Sequence, residues 1–246
     1  MEMQRSISSK QEIPKTGVWY YRNSLKPGTS NYPEADELKY SIRSAVKNVD
    51  IEKVILLGDK KPSWFMPSDK AIFVSSPYIP DPNSPIASVP WNHLKRLMES
   101  NVYSGEFLLF NDDFFVIDKL DKWCDVHRDE NDYFLKVSKN VEYDRREKRA
   151  YASLNLPNMK HYNLHIPMRV DTHNLHDAFS FRLRSIYSDL PFKTIYGNMF
   201  LKDISVPYAD VKNSPDGVFF SSSEQTWYKH EWLREKFQEP SFCELS

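Results

Sequence analysis

Glu106-Phe107-Leu108-Leu109-Phe110-Asn111-Asp112-Asp113-Phe114-Phe115-Val116-Ile117 is the stretch whose reading decides the fold. A short, continuous apolar run of this kind reads as a strand buried on both faces, as inside a parallel sheet. The polar triplet then falls at the carboxyl end of that strand, where open α/β sheets bind their ligands. Two adjacent carboxylates there repel each other unless a cation lies between them. Their hard oxygens suit Mg²⁺ or Mn²⁺, and an ion so held commonly also touches a diphosphate. The competing reading is a plain turn, because Asn and Asp are common turn residues.

Working outward, Val18-Trp19-Tyr20-Tyr21 predicts a first strand. Glu34 to Val49 predicts a helix. Its apolar face is Leu38, Ile42, Ala45, Val46 and Val49, and Glu34, Asp36 and Glu37 stand in the first turn, where the helix dipole favours acids. Lys53 to Gly58 and Ala71 to Ser75 predict two further strands. This is a strand–helix–strand unit, the building block of a Rossmann-like nucleotide-binding sheet. A proline-rich loop from Ser76 to Pro90 and a helix from Trp91 to Ser100 lead into the Asn-Asp-Asp strand. The chain therefore reads as α/β, a mixed sheet flanked by helices.

Composition bounds the partners. Among 246 residues, 33 are basic and 34 acidic, a net charge of -1, so no global field draws the chain to nucleic acid or an anionic membrane. The two cysteines, Cys124 and Cys243, give no disulfide framework and point to a reducing, cytoplasmic compartment. No apolar run reaches the length of a membrane span, and residues 1–15 read as a polar, flexible N-terminus without a signal-peptide core. With only 6 glycines a glycine-rich phosphate loop is absent, so metal, Arg, Lys or helix N-termini must hold any phosphate.

Residues 119–155 read as a charged insertion. Arg145, Arg146, Lys148 and Arg149 are either a solvated helix face or a clamp for a phosphate-bearing acceptor. Cys124 and His127 are half a zinc site with no second pair. His165 precedes Ile166-Pro167, so it sits in extended backbone and is a candidate site residue, whereas His173 and His176 read as a surface pair. Arg182 and Arg184 lie amid Phe and Leu, where a buried guanidinium would need an anionic partner.

Six stretches, in order, resemble the Stealth family of sugar-1-phosphate transferases, enzymes of bacterial capsule synthesis and of the lysosomal mannose-phosphate tag. They are Asp36-Glu37-Leu38-Lys39-Tyr40-Ser41-Ile42-Arg43-Ser44, the strand from Lys53 through Pro62-Ser63-Trp64-Phe65, Phe107 through Phe115, His165-Ile166-Pro167, Phe181-Arg182-Leu183-Arg184-Ser185, and Phe237 through Glu244. The family's opening Tyr-Thr-Trp-Val-Asp-Gly reads Val18-Trp19-Tyr20-Tyr21-Arg22-Asn23 here, without the acid. Its Asn-Asp-rich metal turn reads Phe219-Phe220-Ser221-Ser222-Ser223-Glu224, with Glu224 as the one strong ligand. The chain is similar in compactness to small bacteriophage members.

The resemblance implies a glycosyltransferase-A-like domain over residues 16–246 and a nucleotide-sugar donor, a UDP-sugar first. Asp112 and Asp113, helped by Asn111 and Glu224, would hold Mg²⁺ or Mn²⁺ on the diphosphate. Arg184 and Arg43 would neutralise phosphate oxygens, with Arg182 beside them. His165 would be the general base for an acceptor hydroxyl, with Asp36 or Glu37 as the second candidate, and Trp19, Tyr20 or Trp64 would stack on base or sugar. The acceptor would be a polysaccharide or a hydroxymethylated base in phage DNA. An ordinary glycosyltransferase releasing nucleoside diphosphate, and a non-catalytic sugar- or nucleotide-binding module, remain as alternatives.

Overall fold

The structure, a computed structural model, describes residues 11–21, 36–77, 88–129, 141–208, 210–211, 217–222 and 230–245. Among these residues the main sheet has strands β1 (Thr16–Tyr21), β2 (Lys53–Gly58), β3 (Ala71–Ser75), β4 (Glu106–Asn111) and β8 (Met168–Asp171), in the order β3-β2-β1-β4-β8. The first four are parallel, and β8 runs antiparallel along β4. From β1 the chain steps outward through β2 and β3, then returns to lay β4 on the other side of β1. That reversal makes the β1/β4 carboxyl ends the topological switch point, where a crevice opens for ligand.

Alternation along the strands splits the core in two. Trp19, Leu56, Leu108 and Phe110 face one side and meet helix α1 (Asp36–Val49). Val18, Ile55, Leu57, Phe107 and Leu109 face the other and meet helix α2 (Ser88–Ser100) through Trp91, Leu94 and Leu97. Burying each such aliphatic side chain contributes about 1.5–3 kcal/mol. Leu38, Ile42, Ala45 and Val49 are the buried face of α1, as their spacing predicts. Helix α2 begins earlier than the predicted Trp91, with Pro90 in its first turn, where a missing N–H costs nothing.

Beyond Asn111 the chain turns at Asp112-Asp113 into β5 (Phe114–Val116), which pairs antiparallel with β10 (Phe219–Ser221). A small third sheet joins β6 (Val126–Asp129), β7 (Lys160–His161) and β9 (Val206–Pro207). Helix α3 (Val141–Leu154), helix α4 (Thr172–Arg184) and helix α5 (Phe192–Tyr196) follow, α5 running on as a π-helical turn at Gly197–Leu201, and helix α6 (Glu231–Lys236) closes the chain.

Two sequence expectations are corrected here. Residues 11–15 of the expected flexible N-terminus pack onto the body: Gln11 bridges to Trp123, Ile13 is buried, and the Lys15 carbonyl accepts from Glu52 N–H at 2.8 Å. The basic run on α3 is a solvated face only in part: Arg145 and Lys148 are exposed, and the rest turns inward. Arg146 and Glu147 are buried, Arg149 pairs with Asp189, and Thr194 of α5 donates to Glu147 at 2.7 Å. No helix among the described residues is long and apolar enough to cross a membrane.

Candidate active site at the switch point

Tyr20, the next-to-last residue of β1, lies directly across from Asn111, which ends β4. Their side chains meet, the phenol donating to the Asn111 amide oxygen. Burial first, then the negative charges of Asp113 and Asp112, push the Tyr20 phenol well above its ordinary range. The hydroxyl thus stays protonated as a donor. On its other side the Tyr20 ring stacks on His93 of α2 at 5.9 Å. Burial holds His93 down at about 4, so it is a neutral imidazole near pH 7.

The end of β10 ties two other parts of the chain to the Asp112-Asp113 turn. Ser221 Oγ donates to Asp113 Oδ2 at 3.1 Å, and Ser222 N–H donates to the Asp113 carbonyl at 3.3 Å. Ser222 Oγ donates to the Glu37 carboxylate, which brings the first turn of α1 to the same place. Ser221 N–H reaches the Val211 carbonyl at 3.4 Å, next to Asp210. Both serines are fully buried. Ser221 and Ser222 are therefore the joint between the Asp113 turn and Glu37 of α1.

Asp210 holds His165. Its Oδ1 accepts the His165 backbone N–H at 3.0 Å, and both carboxylate oxygens lie 2.9 Å from Nδ1. A carboxylate only accepts, so the neutral ring carries its proton at Nδ1 and its lone pair at Nε2. Burial alone would raise the Asp210 carboxyl, but the hydrogen bonds and charge of His165, with Arg128, hold it at about 2. His165 meets the edge of Phe114, the residue after Asp113, at 6.3 Å. Lys193 of α5 lies over the same ring at 4.3 Å and feels both Asp113 and Asp210. Asp113, Phe114, Lys193, Asp210 and His165 are thus one neighbourhood.

Several predicted site residues lie elsewhere, and these are corrections. Trp19 is fully buried, stacked on Phe110 at 4.4 Å with its indole N–H on Ser41 Oγ, so it has no face for a ligand. Arg43 is not a phosphate clamp. It makes a two-pronged pair with Glu244 at 2.6 and 2.8 Å and donates to the Phe237 and Gln238 carbonyls. Arg182 lies over Trp91 and donates to the Ser188 carbonyl. Arg184 bonds its own helix at the Ser180 carbonyl and lines a separate groove of about 480 Å³ with Ala152, Ser153, Phe181, Ser185, Ile186 and Tyr187. Trp64 sits edge-on to Phe65 in the turn that receives the C-terminal segment. Glu224 and the side chain of Asp36 lie outside the described residues.

The sequence had no motif for Lys193, Asp210 or His93. The one available signal was the Ser221-Ser222 pair, visible only as a departure from a pattern.

No protein-family model matches the chain, and no curated protein matches it in sequence. Solved structures do. The galactosyltransferase LgtC, solved with donor and acceptor sugar analogs, matches with a TM-score of 0.52 over 92% of this chain and 96% of its own, at 11% identity. The chain has a glycosyltransferase-A fold. The apo glycosyltransferase GlyE of Streptococcus pneumoniae TIGR4 also matches, over 79% of this chain and 44% of its own, at 9% identity and a TM-score of 0.38, too loose to argue from. On the glycosyltransferase-A fold of this chain, Tyr20, Asn111 and the Asp112-Asp113 turn lie together at the carboxyl ends of β1 and β4.

Proposed function

We propose that the protein transfers a sugar-1-phosphate, or a sugar, from a nucleotide-sugar donor to an acceptor hydroxyl. The observation that carries this is the Asp210–His165 pair standing against Phe114, the residue that follows the Asp112-Asp113 turn. In the proposed reaction His165 accepts the hydroxyl proton at Nε2, and Asp210 stabilises the imidazolium that forms. Tyr20 and Asn111 line the donor side of the crevice. Glu37, held by Ser222, is the second acid at its mouth.

A divalent ion fits the chemistry of the donor set. Asp112 and Asp113 offer adjacent hard oxygens, and Mg²⁺ is commonly held by one or two carboxylates plus substrate phosphates. Among the described residues no three His, Cys, Asp or Glu side chains group as a self-sufficient metal cage, so the proposed site depends on the diphosphate to complete it. When bound, the ion supplies positive charge to the leaving nucleotide.

The resemblance to the Stealth family favours attack at phosphorus, releasing nucleoside monophosphate. The fold of the galactosyltransferase LgtC, together with the absence of Arg43 and Arg184 from the acidic turn, favours a second reading: attack at the anomeric carbon, releasing nucleoside diphosphate. Incubating the protein with UDP-sugars, Mg²⁺ or Mn²⁺ and a panel of glycan and hydroxymethylated-DNA acceptors separates the two by the nucleotide released. No turnover with any acceptor would leave a binding module. Asp113→Asn keeps the bond from Ser221 but removes a charge, so turnover should fall at least about 100-fold with little change in Tm. A large drop in Tm would make Asp113 structural.

A further inference from the structure

We propose that Lys193 is a positioning residue for His165, holding the main chain on both sides of it so that Nε2 keeps a fixed aim; the catalytic part of this rests on the reading of His165 given above. Lys193 Nζ donates to the Leu164 carbonyl at 2.9 Å and to the Ile166 carbonyl at 2.7 Å, the two residues that flank His165. Asp210 takes the N–H of His165 itself. Three successive residues of an irregular segment are therefore tied by two side chains from distant parts of the chain. Phe114 sets the spacing, with the Lys193 ammonium above its face and the His165 ring at its edge.

The clamp works through N–H donors rather than through charge. Lys193 is buried, and burial pulls its ammonium down to about 7 against the opposing pull of Asp113 and Asp210. Either protonation state serves the clamp, since a neutral amine still has two N–H donors for two carbonyls. An apolar side chain of the same length would fill the space but leave both buried carbonyls without this donor.

The test is a double-mutant cycle of Lys193→Met with His165→Ala, read in kcat, donor KM and Tm. A misplaced base loses about 100-fold in kcat. Lys193→Met should show that loss with donor KM within about twofold, and no further loss in the His165→Ala background. Equal losses in both backgrounds, or an unchanged kcat, would overturn the proposal. A readout without turnover separates this from failure of the functional reading. The backbone amides of Leu164, His165 and Ile166 should show the ¹⁵N order parameters of rigid backbone in the wild type and lower ones in Lys193→Met. Unchanged order parameters overturn the clamp even if the protein proves inactive. Should Lys193→Met not fold, Lys193→Gln, which keeps two N–H donors on a shorter stem, enters the same cycle.

Discussion

Residues with similar chemistry have opposite fates in this protein, and burial with partners decides which. Arg43 and Glu244 show 10% and 4% of their side chains to solvent, so their pair is a buried one. Arg43→Ala would leave the Glu244 carboxylate buried and uncompensated, and should cost about 3 kcal/mol in chemical denaturation. A loss of turnover without that destabilisation would return Arg43 to the site. Asp210 gives a pH-dependent test. Its folded carboxyl titrates at about 2, below the ordinary 3.8, so its contribution to stability is present above about pH 4. That contribution is lost as pH falls through about 2, and is worth about 2 kcal/mol. Asp210→Asn should therefore be less stable than wild type at pH 7, and the gap should close on acidification toward pH 2. Parallel stability curves from pH 7 to pH 2 would refute the assignment.

At the scale of elements, α1 explains why a motif helix can be read correctly and its residues misassigned. Its apolar face is buried in the sheet, and its polar residues stitch β5 rather than a ligand. Ser44 Oγ accepts the Val116 N–H at 3.0 Å, and Asn48 donates to the Val116 carbonyl at 2.7 Å. Together with Ser41 these bonds fix the backbone just after the Asp112-Asp113 turn. Helix α5 shows the same logic on the far side. Gly197, where it passes into the π-helical turn, lies so close to Tyr162 that an added Cβ would stand 2.2 Å from the ring. Gly197→Ala must displace that ring, and should destabilise by about 1–3 kcal/mol. Because Lys193 sits on the same helix, a shift there should also lower turnover. A Tm within one degree of wild type would mean the π-turn adapts freely.

For the whole molecule, the proposed reaction divides on which bond of the donor breaks, and the released nucleotide would answer it. Removal of divalent ions by EDTA should abolish turnover and its restoration by Mn²⁺ or Mg²⁺ should follow, since the proposed site has few cations of its own near the diphosphate. Metal-independent turnover would refute the proposed role of Asp112 and Asp113 as ion ligands. Much of the architecture was legible in the sequence. The apolar run from Phe107 to Phe110, the periodic face of α1 and the compact Val54–Leu57 strand each have a local signature, because a buried strand or helix writes its burial into neighbouring positions. The acidic turn at the end of β4 was legible for the same reason, being continuous with its strand. What only the tertiary structure decided was partnership across the chain. Nothing near Asp210 in sequence points 45 residues back to His165, nothing in Phe192–Tyr196 marks Lys193 as its brace, and nothing around Arg43 says whether its anion is a substrate phosphate or the Glu244 carboxylate. Pattern along the chain fixes which face is buried, whereas the identity of a polar partner depends on contacts between segments far apart in sequence, which only the folded chain brings together.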